Sequence, residues 1–544
     1  MPLGGLGEIG KNITVFEYGR DIIVVDCGLG FPEDDMYGVD LVIPDFTYLV
    51  QNKDRIRGMF LTHGHEDHIG AIPYAMREFK TPIHATRLTA GLVRLKLEEH
   101  GLDRQVKIVT HEAGSTVHCG CFQVEFIKVN HSIADACAFA IHTPVGTVLM
   151  TGDFKIDACA PGGMIDLGRF GELGKKGVLA LLCDSTNVEN PGYSVSEQLV
   201  ADGLDRQFKG CNQRIIVTTF ASNAYRLQSL IDVAHRYGRK LAVTGRSMEN
   251  VLKVSTELGY LKVPKDTLID LAQVKSLPKN KVVIVSTGSQ GENMSALYRM
   301  AFSMHKQVEI QPGDRVIISA SAIPGNEKSV SKIINELYRK GAEVVYDKNA
   351  GLHASGHACQ EDLKIIHGIV KPQFFFPVHG EQRHLRNHAK LAQMMGMQPK
   401  NIFVGEVGQV FELTKSTCKP GGVVPAGRLL VDGTGVGDVG AVVLRDRKHL
   451  AEDGMLVVIV NVSAEDGSIV TGPEIITRGF VYVKESGDLM EELQQIAAHA
   501  IDNCLRRRIR DWGAVKANVK NDLSGYLFRT TKRNPMILPV INEV

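Results

Sequence analysis

The segment Thr62-His63-Gly64-His65-Glu66-Asp67-His68 places three imidazoles and an aspartate within six residues. Imidazole nitrogen and carboxylate oxygen suit zinc and similar divalent ions. The segment follows an expected strand, 58–61, and a loop there lets all four side chains converge where a regular helix would not. Such a loop can reach two metals. More donors recur at strand ends. His131 follows the run 122–127, Asp153 follows 147–150, and His379 follows the apolar run 374–376. Each alone is an ordinary polar loop residue, but together with the first cluster they complete two coordination sets. Asp153 is the natural bridge, since each carboxylate oxygen can bind one ion. Asp26, another strand-end carboxylate, reads as the partner that fixes a ligand imidazole by a hydrogen bond.

The elements that must position these residues form three textures. From Ile13 to Leu182, short β-branched runs alternate with turns and helical stretches such as 88–100, which predicts a layered sheet with helices outside. From Ser196-Glu197, strand and helix alternate regularly: strands at 214–219, 240–244, 281–287, 315–320 and 343–346, helices at 224–237, 248–258, 293–304 and 329–339. That order predicts a parallel, doubly wound domain inserted into the first. A His-rich loop texture resumes at Gly351. Residues 415–434, with Pro420, Gly421, Gly422 and Pro425, read as a linker. Beyond it, strands at 439–444 and 455–462 and a long helix at 488–510 predict a small α/β domain. The boundaries are 1–196 and 351–414 for the core, 197–350 for the insertion and 435–544 for the last domain.

Composition narrows the class. The chain has 544 residues, 44% hydrophobic and 23% charged, which excludes a disordered, collagenous or coiled-coil protein. Lys and Arg (62) nearly cancel Asp and Glu (61), so affinity for nucleic acid must come from local patches. Residues 505–534 form one, with nine Lys or Arg against two Asp, a local charge of +7. It reads equally as a solvated helix end or as a surface for RNA or another subunit. No run approaches a membrane span, and the start lacks a secretory pattern. The ten Cys include no CxxC pair, and Cys119 and Cys121 flank a turn. The expectation is a cytoplasmic protein without disulfides, membrane contact or an organic cofactor.

The metal motif, with His131, Asp153 and His379, resembles the metallo-β-lactamase superfamily. Asp184 in Cys183-Asp184-Ser185-Thr186-Asn187, His357 in His353-Ala354-Ser355-Gly356-His357, and His379 resemble motifs A, B and C of the β-CASP nucleases. Leu3-Gly4-Gly5-Leu6-Gly7-Glu8-Ile9-Gly10-Lys11-Asn12 and Phe220-Ala221-Ser222-Asn223 are similar to bacterial ribonuclease J in particular. Members of that family usually carry a few residues before the Leu-Gly-Gly stretch, which suggests a slightly shorter start here.

The resemblance implies an αββα metallo-β-lactamase core, an inserted β-CASP doubly wound α/β domain and a small C-terminal α/β domain. It implies two zinc ions, one on His63, His65 and His131, the other on Asp67, His68 and His379, bridged by Asp153. A hydroxide shared by the ions would attack phosphorus, and His357, oriented by Asp184, would protonate the leaving oxygen or else bind phosphate. His353, Ala354, Ser355 and Gly356 would cradle an RNA phosphate. Ser222, Asn223 and Ala224 would add helix N-terminal amides to a 5′-monophosphate pocket, though helix capping explains Ser222 and Asn223 equally simply. A structural divalent cation on the Tyr37 and Val39 carbonyls and Asp432 is implied too, as is a homo-oligomer, dimer or tetramer. The implied activity is 5′→3′ exonucleolytic and endonucleolytic cleavage of single-stranded RNA, in mRNA decay and rRNA maturation. Two rival readings are a small-molecule hydrolase acting on thioesters or lactones, and an RNA-binding scaffold with a dead site.

Overall fold

The computed structural model describes residues 1–292, 294–322, 326–346, 350–480, 487–509 and 511–544. Within them the chain forms two units, Met1–Gly30 with Ile43–Leu429, and Phe31–Val42 with Leu430–Val544.

The first unit is built on two six-stranded sheets. One includes Ile13–Tyr18, Asp21–Val25, Ile56–Phe60 and Ile83–Thr86. The other includes Phe122–Lys128, Cys137–Thr143, Gly146–Met150, Ala180–Asp184 and Phe374–Val378. Their β-branched and aromatic residues fit a pleated surface, and the facing sides meet in one apolar cluster. Ile23, Val25 and Phe60 come from the first sheet, Phe126, Phe139, Met150 and Phe376 from the second. Helices Leu167–Lys176, Gln360–Val370 and Gln382–Met394 cover the second sheet through Phe170, Leu363, Ile366 and Leu391. Helix Arg87–Glu99 packs on strand Ile83–Thr86 of the first. The result is the expected αββα layering.

Strand Phe374–Val378 pairs in parallel with Ala180–Asp184, with Asp184 opposite Val378. The insertion therefore leaves and re-enters the core at adjacent strands, which brings His379 beside Asp184. The insertion is a five-stranded parallel sheet in the order Lys240–Thr244, Val282–Ser286, Ile215–Thr218, Arg315–Ile318, Glu343–Val345. Apolar clusters line both faces, as parallel sheets require.

In the second unit, strand Met455–Val462 lies between Ile469–Arg478 (antiparallel) and Met536–Glu543 (parallel). Helices Gly487–Arg506 and Trp512–Thr531 cover one face, burying Leu493, Ala497, Val519 and Leu523. Among the described residues no helix is long and apolar enough to cross a membrane.

Several expectations need correction. The stretch read as the strand 439–444 opens the helix Ala441–Asp453, because the helix formers after Leu444 outweigh the short Val442-Val443 run. Most of the supposed linker is ordered. Cys418–Val423 pairs with Gln409–Leu413, and Pro420 is tolerated because the sheet has only two strands, both edges. Phe31–Val42, read as part of the core, joins the C-terminal unit by packing Met36, Val39 and Val42 against Leu430 and Val439. Asp67 and His68 lie on a helical turn, Glu66–Ile69, instead of an open loop. Asn293 and Arg510, expected helix ends, lie outside the described residues.

The metal loop depends on one close approach. A Cβ at Gly28 would sit 1.6 Å from the Asp67 carbonyl oxygen, which accepts from Asn12 N at 3.0 Å and Asn12 Nδ2 at 3.1 Å. Gly28→Ala should therefore cost about 3 kcal/mol in denaturant unfolding. Gly171→Ala, on an open helical position, should be neutral or mildly stabilising. Equal stability of the two variants would show that the close approach is not limiting.

Candidate metal centre

The metal-type donors lie in segments that leave strand ends. His63 Nε2 and His131 Nε2 each lie 3.0 Å from His65 Nδ1. The edge of a tetrahedron with zinc–nitrogen bonds of ~2.0 Å is about 3.3 Å, so the three nitrogens are spaced as ligands of one ion. His131 Nδ1 donates to the Gly356 carbonyl at 2.7 Å, which leaves Nε2 as the ligating lone pair. His63 Nδ1 is held by Thr62 Oγ1 at 3.0 Å. On the other side, His379 Nε2 lies 3.1 Å from Asp67 Oδ2.

Asp153 joins the two sets. Its Oδ2 is 3.6 Å from His63 Nε2 and 3.7 Å from both His131 Nε2 and His379 Nε2, while Oδ1 is 3.3 Å from His68 Nε2. The side chain is 2% exposed, and Oδ1 has no hydrogen bond. A buried carboxylate oxygen left this way is costly unless a cation meets it. The ligand atoms of His63, His65, His131 and Asp153, and those of Asp67, His68, Asp153 and His379, form two groups each within 4.8 Å. The residues present therefore fit two divalent ions.

Second contacts orient the ligands. Asp26 (φ 61°) takes the Thr62 amide at 2.8 Å and holds His68 Nδ1 at 2.8 Å. Thr186 Oγ1 meets His379 Nδ1 at 2.5 Å, and Asn12 Nδ2 lies 3.1 Å from His68 Nε2. Burial, reinforced by neighbouring imidazoles, keeps His63 and His131 far below the ordinary histidine range, and burial brings His65 down to about 4, so all three are neutral ligands. His357 behaves differently. Burial disfavours its charge, but Asp184 and Asp153 outweigh burial and push it up to about 9. Its Nδ1 lies 2.7 Å from Asp184 Oδ2 and 3.9 Å from Asp153 Oδ2.

The loop expected to cradle phosphate borders this centre. Gly356 and His357 approach it directly, through the Gly356–His131 and His357–Asp184 contacts, and Ser355 Oγ accepts from the His357 amide at 3.2 Å. His353 is half-buried. Ala354 is 3% exposed, and its carbonyl accepts from Arg226 Nη2 at 3.4 Å, so its part is to shape the loop. Ser222 is half-buried. Asn223 fits the capping alternative: its Oδ1 caps the helix through Arg226 N at 2.9 Å, its Nδ2 donates to Glu197 at 3.3 Å, and it is 2% exposed. Ala224 is equally buried.

Of the residues expected at a structural cation, the Tyr37 carbonyl and Asp432 Oδ2 accept from Arg447 at 3.0 and 2.5 Å. In the basic C-terminal stretch, Lys532 lies over the Phe528 ring at 5.6 Å and Arg533 donates to the Phe480 carbonyl at 2.8 Å. Sequence reasoning missed Thr62, Thr186, Asn12, Asn187 and the Glu197–Arg226 pair. The two threonines and Asn187 have a signal in hindsight, since they flank the chosen motifs. Asn12 closes the quoted Leu3–Asn12 motif, whereas Glu197 and Arg226 have no such signal, because they find each other across 29 residues.

Comparisons with known proteins agree with this geometry. The family described as "Ribonuclease J, beta-CASP domain" matches residues 212–337, and "Ribonuclease J C-terminal domain" matches 442–544. The metallo-beta-lactamase superfamily matches 6–161, and the "Zn-dependent metallo-hydrolase RNA specificity domain" matches 341–404. Ribonuclease J 1 of Streptococcus pyogenes is 44% identical over 99% of this chain and 97% of its own. Ribonuclease J of Thermus thermophilus is 45% identical over 100% of this chain and 95% of its own. A crystal structure of a protein of unknown function from Enterococcus faecalis V583 aligns with TM-score 0.52 over 77% of this chain and 98% of that one, at 16% identity, a likeness of fold alone. Identity at this level along the whole chain leaves one assignment: it belongs to the ribonuclease J family and is a metal-dependent ribonuclease.

Proposed function

We propose that this ribonuclease degrades single-stranded RNA 5′→3′ from 5′-monophosphate ends, also cuts internally, and works with two zinc ions in mRNA decay and rRNA maturation. The observation that carries the reading is Asp153, a buried carboxylate shared by two donor sets with one oxygen lacking a hydrogen bond. When bound there, the ions supply water activation and charge neutralisation at the phosphoryl oxygens. The protein's own residues do the rest. Asp26, Thr62 and Thr186 fix the imidazoles. Asp184 on His357 Nδ1, with Asp153 nearby, favours the protonated ring, whose Nε2–H can pass a proton to the leaving 3′ oxygen. Loop 353–357 offers the Ser355 hydroxyl, which accepts from the His357 amide, and this supports a phosphate cradle. Membership of the family sets aside the small-molecule hydrolase, and the full donor set argues against a dead scaffold. A homo-oligomer in the cytoplasm completes the reading, on the family resemblance.

Three results would test it. Asp153→Ala should lose at least one metal per chain and nearly all RNA hydrolysis. Two retained metals with near-normal turnover, by mass spectrometry and RNA decay, would refute the bridge. His357→Ala should slow the chemical step by roughly 10²–10⁴. An RNA with a bridging phosphorothiolate, whose sulfur leaves without a proton, should restore the rate, whereas weakened binding without rescue would assign His357 to phosphate. Finally, matched RNAs with monophosphate, triphosphate and hydroxyl 5′ ends should be discriminated by the parent and much less by Ser355→Ala. Undiminished discrimination would place the 5′ pocket elsewhere.

A further inference from the structure

The segment after Asp184 does more than orient His357. Asn187 Nδ2 donates to Ser355 Oγ at 2.7 Å and to the His357 carbonyl at 3.1 Å. A carbonyl can only accept, so the amide end facing His357 O is the nitrogen, and the same nitrogen faces Ser355. Ser355 Oγ also accepts from the His357 amide at 3.2 Å. A hydroxyl has two lone pairs and one proton. Both lone pairs of Ser355 are thus engaged by N–H donors, and its proton is left to find an acceptor outside the loop. Asn187, from the short segment that also carries Asp184, therefore sets the Ser355 hydroxyl as a donor.

We propose that Asn187 is a positioning residue that makes Ser355 a donor-only ligand for an anionic phosphate oxygen of the RNA. This rests on the phosphate-cradle reading of Ser355 and adds the reason the cradle favours an anion. A hydroxyl free to rotate would accept from a neutral 5′-hydroxyl as readily as it donates. A hydroxyl with both lone pairs filled can only donate, and donation to an ionised phosphate is the stronger bond.

The test is a double-mutant cycle on the full-length, metal-loaded enzyme, read as KM and kcat on a short 5′-monophosphorylated RNA. Ser355→Ala should raise KM about tenfold, the scale of one hydrogen bond to a charged group. Asn187→Ala should raise KM about three- to tenfold in the parent and leave it unchanged in the Ser355→Ala background. Asn187→Asp, nearly the same in shape, accepts the Ser355 proton and turns it inward, so it should raise KM more than Asn187→Ala does. It also serves the cycle should the alanine variant fail to fold. A purely structural role would lower the melting temperature and raise KM equally in both backgrounds, which would overturn the proposal. So would an unchanged KM in Asn187→Ala alongside a raised KM in Ser355→Ala. An unchanged KM in Ser355→Ala itself would refute the cradle reading, and this proposal with it.

Discussion

A carboxylate that is 2% exposed, with one oxygen lacking any hydrogen bond, sets the terms for the rest of this molecule. Asp153 is affordable in the interior only because imidazoles surround it and can share cations with it. His63, His68, His131 and His379 reach it from three separate chain segments. Each segment is tied in turn by a partner that leaves the correct nitrogen facing inward. Preorganisation of this kind is what a metal site needs, because ligand orientation decides affinity as much as ligand identity does.

The layering supplies the convergence. Two sheets packed face to face bring Asp26 from one and Asp153 and Asp184 from the other to a common edge. The chain reaches that edge by close backbone approaches, at Gly28 against Asp67 and at Gly356 against His131, where a Cβ would sit 2.5 Å from the imidazole. The inserted domain is coupled to the same edge by a buried polar network. Glu197 pairs with Arg226 at 2.9 Å, Arg226 Nη1 donates to the Ser319 carbonyl at 2.7 Å and Nη2 to that of Ala354. Removing one partner from so enclosed a pair would strand a charge, so the pair reads as a specification of loop 353–357 more than as a source of net stability.

His357 illustrates how environment assigns roles to identical side chains. Among the imidazoles of the centre, burial and neighbouring imidazoles hold His63, His65 and His131 below the ordinary histidine range, whereas nearby carboxylates raise His68, His379 and His357.

The sequence by itself determined the grouping of candidate metal donors, the doubly wound insertion and the order of the domains. These are local properties: ligand types crowd into short motifs, and the alternation of strand and helix is periodic along the chain. What it left to the tertiary structure was pairing over distance. Asn223 carries the same local pattern as a phosphate-binding helix start, yet Glu197, 26 residues away, and the cap on Arg226 take up its side chain. Phe31–Val42 reads as core until Leu430 and Val439 bury its apolar face in the other unit. Tyr37 and Asp432 are read for a cation, and the fold brings the Arg447 guanidinium against both. Asn187 sits in a motif chosen for its neighbour, and only the return of the chain at Ser355 and His357 gives it partners. A donor's identity is written in one residue, but whether it is still free is settled by whatever the fold brings against it.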